Sequence, residues 1–242
     1  MKKQLSLILL TFLLIQNSHA EDLSDLISPE TFIINYEDLN TEQINASMQA
    51  KKDVVPVLGK DWMIVTANSY ASAAGAKILE EGGTAADAMI AAQSVLGLVE
   101  PESSGLGGGS FLIWYDNKTN KVTTLDGRET APRASYTTQF QNESGETKKF
   151  FDAVIGGLSV GTPGTPALMF KAHEKWGKIK WSNLFNTAIN LGENGFPVSK
   201  KLASSSERDS DRLKKSSQTS KYFLPDGNNL KHKQIVTNRA YA

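Results

Sequence analysis

The 242-residue chain contains no cysteine and only three histidines, His19, His173 and His232. The missing cysteines exclude disulfide frameworks, cysteine-ligated zinc and cysteine nucleophiles. The scarce histidines exclude a metal site built from a histidine cluster, and we predict no metal ion. Neither His173 nor His232 lies in a G-x-S-x-G or similar setting, which argues against a Ser-His-Asp triad. We predict that His173 is a partly exposed helix residue and not a catalytic base.

An excess of charge of either sign is also missing, because 26 lysines and arginines balance 26 aspartates and glutamates. Proteins that bind nucleic acids usually present a basic face or tail. The balanced composition therefore predicts no nucleic-acid partner. A hydrophobic content of 40% is ordinary for a globular protein with a buried core.

The apolar run near the N terminus, Leu5–Ile15, is too short to span a bilayer comfortably. It follows two lysines and precedes S-H-A at positions 18–20, a small-x-small pattern typical of a cleavage site. We predict that residues 1–20 form a secretory signal peptide cleaved after Ala20. The mature protein is then exported, periplasmic or secreted, and has no stable membrane anchor.

The remaining chain divides into two predicted regions. Residues 21–60 are polar, which predicts a mature N-terminal arm with one short helix. Over residues 61–242 helical and strand patterns alternate without a repeat, which predicts a layered α/β (α+β) domain. The predicted elements are a strand Trp62–Val65, a helix Ser69–Glu81 capped by Ser69, a helix Ala85–Leu98 with a Thr84/Asp87 capping box, hairpin strands Phe111–Tyr115 and Lys121–Asp126, a helix from Pro166 to Trp176, a helix capped by Ser182 that ends near Asn194, and a helix capped by Ser199 over 200–215.

Four glycines fall within the five positions 105–109. Glycine permits positive φ and close approach of the backbone to other backbone or to a ligand. A phosphate-binding glycine loop follows a strand and opens a helix, whereas here a helix comes first and a strand follows. The order of elements favours a glycine corner that admits a strand into a crowded core, and we predict no nucleotide or other cofactor.

Arg128 is the strongest candidate binding residue in the sequence. It follows a glycine at the end of a predicted strand, between Asp126 and Glu129. A guanidinium group at such a place binds a carboxylate bidentately, with a geometry that lysine cannot match. The alternative is a structural salt bridge to Asp126, Glu129 or another acid.

Glu100 and Glu102, on either side of Pro101, are the candidate carboxylate pair. Acid–base catalysis by two carboxylates needs a fixed separation between them. A turn containing proline fixes no such separation, so the pair is a weak candidate for acid–base chemistry.

Several motifs in order along residues 62–242 resemble the large subunit of gamma-glutamyltransferases, also called gamma-glutamyl transpeptidases or glutathione hydrolases. Three of them are V-E-P-E-S-S-G-L-G-G-G-S-F-L-I-W-Y-D, L-D-G-R-E-T-A-P-R-A-S and S-V-G-T-P-G-T-P-A. Three more are A-S-A-A-G-A-K-I-L-E-E-G-G-T-A-A-D-A, G-E-N-G-F-P-V-S and F-L-P-D-G-N-N-L-K.

The resemblance implies an N-terminal-nucleophile hydrolase with a four-layer α-β-β-α sandwich, incomplete in this chain. It further implies a precursor that cuts itself into a large and a small subunit, and a new N-terminal threonine that attacks the γ-glutamyl amide of glutathione and related compounds. The acyl group then passes to water or to an amino acid or peptide. The resemblance assigns Arg128 to the α-carboxylate of the glutamyl group, and the 105–109 segment to the scaffold.

The nucleophile of the family lies in a T-T-H-like motif that this chain lacks. The threonine pairs at 123–124 and 137–138 have no histidine after them and come too early in the family order. We therefore predict no catalytic residue here: the chain is an N-terminal fragment that is inactive alone and needs its small subunit. Two alternatives remain, a cephalosporin (glutaryl) acylase-like member of the same fold and a non-catalytic γ-glutamyl-binding remnant.

Overall fold

The computed structural model describes residues 39–242. The predicted signal peptide and the first part of the predicted arm lie outside the described residues. The helices in the described part are α1 (Glu42–Lys52), α2 (Ser69–Glu80), α3 (Ala85–Val99), α4 (Phe150–Val154), α5 (Thr165–Trp176), α6 (Asn186–Asn194), α7 (Lys200–Arg208), α8 (Ser210–Leu213) and α9 (Ser217–Phe223). The strands are β1 (Ser110–Asp116), β2 (Lys121–Gly127), β3 (Phe196–Pro197) and β4 (Ile235–Val236).

The core is built around the alanine-rich pair α2 and α3. The capping box at the start of α3 forms as predicted, because the Thr84 side chain accepts from the Asp87 N–H and the Asp87 carboxylate accepts from the Thr84 N–H. The predicted cap of α2 is wrong by one residue, since the Asn68 side chain, and not that of Ser69, accepts from the Tyr70 N–H. Small buried side chains on both helices, mostly alanine, allow them to pack closely.

Helix α1 confirms the short helix predicted in the arm. Thr41 caps it through a bond from the Ile44 N–H to its hydroxyl oxygen. Leu39 and Ile44 are buried in the same hydrophobic cluster as the inner faces of α2 and α3. The part of the arm around Leu39 and Ile44 is therefore packed on the core, whereas residues 51–60 are exposed.

The strand predicted at Trp62–Val65 does not form within residues 39–242. The segment is extended, and burial alternates along it as in a strand. Trp62 and Ile64 pack against the core, whereas Met63 and Val65 are 56% and 82% exposed. A β-strand requires backbone hydrogen bonds to a neighbouring strand, and the described residues provide no such neighbour here. The side chains alternate in burial as in the predicted strand, but the segment is not part of a sheet among these residues.

The predicted hairpin is confirmed, with β1 and β2 antiparallel in a register that places Phe111 opposite Asp126 and Ile113 opposite Thr124. Its inner face packs on α5, where the Trp114 and Trp176 rings stack with their centroids 4.5 Å apart. Its outer face exposes a set of large apolar side chains. These are Phe111, Ile113, Tyr115 and Val122.

The second half of the described chain is mainly helical, and two predicted helices differ from the structure. Ser182 lies inside a 3₁₀ turn that leads into α6 and does not cap a helix. Ser199 caps α7 as predicted, but α7 ends at Arg208, because Asp209 leaves helical geometry and its carbonyl starts α8. Short strands β3 and β4 pair antiparallel beside these helices. None of the helices between residues 39 and 242 has both the length and the apolarity to cross a membrane.

Candidate functional site

The candidate site lies where β2 ends and the D-G-R-E-T segment leaves the sheet. The Asp126 carboxylate accepts the Arg128 backbone N–H at 2.9 Å, which turns the chain directly after the strand. Gly127 is buried at this turn, where an added Cβ would stand 2.7 Å from the Leu168 Cβ on α5. The turn presents the Arg128 side chain outward from the end of the hairpin.

Two loops hold this turn from either side. The Gly108 carbonyl accepts the N–H groups of both Gly164 and Thr165 at 3.1 Å, which joins the glycine-rich segment to the start of α5. Thr130 and Thr162 exchange backbone hydrogen bonds, at 2.9 and 3.3 Å. The D-G-R-E-T segment is therefore fixed to backbone that comes both before and after it in the sequence.

Three glycines lie so close to Glu129 and Arg128 that a side chain at these positions would collide with them. A Cβ at Gly109 would stand 2.8 Å from both the backbone nitrogen and Cδ of Glu129, and one at Gly161 would stand 2.8 Å from the Glu129 Cβ. A Cβ at Gly164 would stand 2.6 Å from the Arg128 carbonyl oxygen. These distances are shorter than van der Waals contact, so the glycine segments are packing surfaces for the site. Within the predicted glycine corner at 105–109, Gly109 is packed this closely, whereas an added Cβ at Gly107 would meet nothing within 4 Å, so the segment does not lie in a crowded core as predicted.

The Arg128 guanidinium is accessible. Its side chain is 67% exposed, with Nε 3.5 Å from Glu129 Oε2 and Cζ 5.9 Å from the centre of the Phe111 ring. The two terminal nitrogens make no hydrogen bond or ion pair to residues 39–242. An ion pair as exposed as that with Glu129 is weak and readily exchanged. The salt bridge considered as the alternative role therefore forms at the Nε edge of the guanidinium, and the edge with the two terminal nitrogens is accessible to a ligand.

Two cavities adjoin at Glu129, which lines both. The first, of about 310 Å³, is bounded by the D-G-R-E-T-A-P segment, residues 135–140 and residues 158–161, and we call it the arginine cavity. The second, of about 460 Å³, lies beside residues 101–110 and includes Gln93, Glu102 and Thr165. Sequence reasoning did not find the walls from residues 135–161, because their placement depends on packing between distant segments.

Glu100 and Glu102 converge on a lysine that the sequence did not identify. Glu100 is 3% exposed; its Oε1 accepts from Asn68 Nδ2 at 3.1 Å, and its Oε2 lies 3.0 Å from Lys201 Nζ without hydrogen-bond geometry. Glu102 Oε1 is 3.8 Å from the same ammonium group, and Lys201 Nζ also donates to Ser103 Oγ at 2.8 Å. Burial raises the pKa of the Glu102 carboxyl, and the neighbouring Glu100 charge raises it further. The arrangement ties the turn after α3 to α7.

His173 has a structural contact and does not face either cavity. Its Nε2 lies 2.8 Å from the Ile179 carbonyl oxygen and 3.8 Å from Asp87 Oδ1, and its side chain is 20% exposed. The fully buried Asp87 carboxylate also accepts the backbone N–H groups of Lys178 and Ile179. Asp87 and His173 therefore fix the turn after α5. Among residues 39–242 no group of three His, Cys, Asp or Glu side chains is placed to hold a metal ion.

Comparison with known proteins gives a consistent set of matches. The family model for gamma-glutamyltranspeptidase matches residues 71–242. The glutathione hydrolase proenzyme of Bacillus subtilis (strain 168) is 42% identical over 176 residues, which are 72% of this chain and 30% of that protein. This chain therefore spans less than a third of that curated relative.

Solved structures share the fold. The gamma-glutamyltranspeptidase of Helicobacter pylori has a TM-score of 0.73 and 30% identity, over 77% of this chain and 53% of that chain. The transpeptidase enzyme CapD of Bacillus anthracis has a TM-score of 0.61 and 26% identity, over 75% of this chain and 55% of that chain. The mixed α/β arrangement with small sheets is thus an incomplete N-terminal-nucleophile hydrolase sandwich. Because the family model matches residues 71–242, which are more than two thirds of this chain, the chain belongs to the gamma-glutamyltranspeptidase (glutathione hydrolase) family.

Proposed function

We propose that this chain is the N-terminal part of an exported glutathione hydrolase, and that Arg128 binds the α-carboxylate of the γ-glutamyl group. The observation that supports this role most directly is the exposed outer edge of the Arg128 guanidinium beside the arginine cavity. A guanidinium binds a carboxylate through two parallel N–H···O bonds, which fixes orientation as well as affinity. The donor would be held by its α-carboxylate while its γ-amide extends away from Arg128.

The chemical step needs groups from a second subunit. In the proposed reaction an N-terminal threonine hydroxyl attacks the γ-carbonyl, its own α-amine accepts the proton, and the amine part of the substrate leaves with a proton. The acyl-enzyme then transfers the γ-glutamyl group to water or to an amino acid or peptide. Neither threonine pair of this chain suits the role, since Thr123 and Thr124 lie within β2 and the pair at 137–138 lies in an exposed loop.

The exposed apolar surfaces support a requirement for the small subunit. The outer face of the hairpin exposes Ile113 by 77% and Val122 by 65%, and the extended segment exposes Val65 by 82%. Such surfaces, together with hairpin edges that pair with no other strand among residues 39–242, are expected where further strands and helices cover a sheet. We propose that the small subunit of the same precursor covers them, and that the chain alone neither processes itself nor turns over substrate.

A chimera tests the proposal. Residues 71–242 replace the matched region of the B. subtilis glutathione hydrolase proenzyme, and hydrolysis of a γ-glutamyl anilide is measured. The chimera should cleave itself and hydrolyse the anilide. Arg128→Gln should lower kcat/KM by about 100-fold, chiefly through KM, because the carboxylate contact is present before and during the reaction. The control Arg239→Gln changes an exposed arginine outside both cavities and should leave kcat/KM unchanged.

The same chimera separates the alternatives. A glutaryl anilide lacks only the α-amino group of the donor and keeps its carboxylate, so faster turnover of this substrate would indicate the acylase-like activity. A chimera that folds but neither processes itself nor hydrolyses either anilide would contradict the enzyme proposal and leave the binding remnant.

A further inference from the structure

The arginine cavity is lined by apolar side chains as well as by its charged residues, and we call them its apolar wall. The wall consists of large side chains that are unusually accessible for their type. Phe140 is 39% exposed, Leu158 is 37% exposed and Val160 is 53% exposed. Ala131 and Pro132 add further apolar lining to the same cavity. Single exposed apolar residues are common on proteins, but a group of them beside a cation in one cavity indicates a ligand that is both anionic and apolar.

Polar groups in the same cavity are largely engaged by the protein. The Ser159 hydroxyl donates to the Val154 carbonyl at 2.7 Å, and the Gln139 side-chain carbonyl accepts from the Tyr136 N–H at 3.4 Å. A hydroxyl or amide that is already bonded offers a ligand less than a free one. The Glu129 carboxylate, the Thr130 and Ser135 hydroxyls and the Gln139 amide nitrogen also line the cavity, but its one cation is Arg128 and its large apolar side chains form the wall.

We infer that the arginine cavity selects γ-glutamyl compounds whose amine part bears an aromatic or branched aliphatic group. The α-carboxylate binds Arg128, and the apolar group packs on Phe140, Leu158 and Val160. A volume of about 310 Å³ is at the small end of the range for ligand sites, which suits a glutamyl group with one ring and not a long peptide. This inference rests on the proposed function and adds to it the class of substrate.

The test uses the full 242-residue chain and two ligands, γ-glutamyl benzylamide and γ-glutamyl methylamide. Both have one α-carboxylate and differ only by the phenyl ring. Affinities are measured by NMR titration. The benzylamide should bind about tenfold more tightly than the methylamide, as expected for a ring that enters an apolar site. Leu158→Ser and Val160→Ser should each weaken benzylamide binding several-fold and leave methylamide binding unchanged.

The matched control is Val122→Ser, the same change at an exposed valine on the outer face of the hairpin. It should alter neither affinity. All three positions are exposed, and far-UV circular dichroism verifies that each variant folds as the unsubstituted chain does.

The outcomes separate the inference from the proposed function. Equal affinities for the two ligands, both lost in Arg128→Gln, would overturn the inference and leave the carboxylate contact standing. A preference for the benzylamide that survives Arg128→Gln with both affinities unchanged would overturn the proposed role of Arg128, and with it the inference. Absence of binding by either ligand at millimolar concentration would overturn the inference, whereas the proposed role of Arg128 is decided by the kinetics of the chimera.

Discussion

Gly164 lies directly against the turn that presents Arg128: a Cβ on Gly164 would collide with the Gly127 carbonyl oxygen and stand 2.6 Å from that of Arg128. The backbone at the start of α5 therefore lies directly against the backbone at the end of β2. This contact sets the position of Arg128, because the Gly164 N–H is also bonded to the Gly108 carbonyl. The glycine-containing segments around residues 108, 127 and 164 meet at the turn that carries Arg128.

Gly164→Ala should lower the free energy of unfolding by about 1–3 kcal/mol, since neither carbonyl can move without breaking the turn. The control is Gly157→Ala, where an added Cβ meets nothing within 4 Å. The control should be neutral or stabilise the chain by up to about 1 kcal/mol. Urea denaturation measures both, and equal stability of the two variants would show that the close contact is absent in solution.

Asp87→Asn should destabilise the chain by about 3 kcal/mol, because an amide nitrogen would replace an oxygen that now accepts backbone N–H groups. Asp87 is fully buried and bonded to Thr84, Lys178 and Ile179. Asp211→Asn, at a carboxylate that is 97% exposed, should change stability by less than about 0.5 kcal/mol. If thermal and urea denaturation give both variants the same stability as the unsubstituted chain, Asp87 does not join α3 to the turn after α5.

Glu102→Gln should stabilise the chain at neutral pH. Burial raises the pKa of Glu102, so the folded state binds the proton more tightly than the unfolded state does. Protonated Glu102 therefore contributes to the stability of the folded state below the ordinary glutamate pKa. This contribution is lost as the pH rises through the raised pKa of Glu102. Glutamine is neutral throughout and removes this loss.

Thermal midpoints over a pH series measure the effect of Glu102→Gln. The thermal midpoint of the variant should be higher than that of the unsubstituted chain at neutral pH, and the two midpoints should converge below the ordinary glutamate pKa. Glu193→Gln, at an exposed position on α6, is the control. A difference that does not vary with pH would contradict a titration of Glu102.

Trp114 and Trp176 should be energetically coupled, because their stacked rings join the hairpin to α5. A double-mutant cycle with Trp114→Ala and Trp176→Ala should give a coupling energy of about 1 kcal/mol. Independent contributions of the two substitutions would mean that the hairpin is not held on α5 by this pair.

The sequence predicted the local elements well where the signal was local. The Thr84/Asp87 capping box, the β1–β2 hairpin and the proline in the first turn of α5 all depend on residues close together in the chain. The strand at Trp62–Val65 was wrong because a strand also needs a neighbour, and none occurs in the described residues. The cap at Ser182 was wrong because a 3₁₀ turn precedes α6 there.

The candidate site was only partly predictable, because some of its residues come together through contacts between distant parts of the chain. Arg128 could be selected because a glycine, a strand end and flanking acids are adjacent in sequence. The apolar wall at Phe140, Leu158 and Val160, and the contact of Lys201 with the glutamate turn, depend on long-range packing that no short pattern records. The role of Arg128 in binding remains a prediction.

The most direct measurement of the central claim removes the carboxylate and the guanidinium separately. In the chimera described above, kcat/KM is compared for a γ-glutamyl anilide and for the analogue that lacks only the α-carboxylate, with Arg128 and with Arg128→Gln. We predict that loss of the carboxylate lowers kcat/KM by about 100-fold when Arg128 is present and by less than about threefold in Arg128→Gln. An Arg128→Gln enzyme that still discriminates between the two substrates by the full factor would contradict the account.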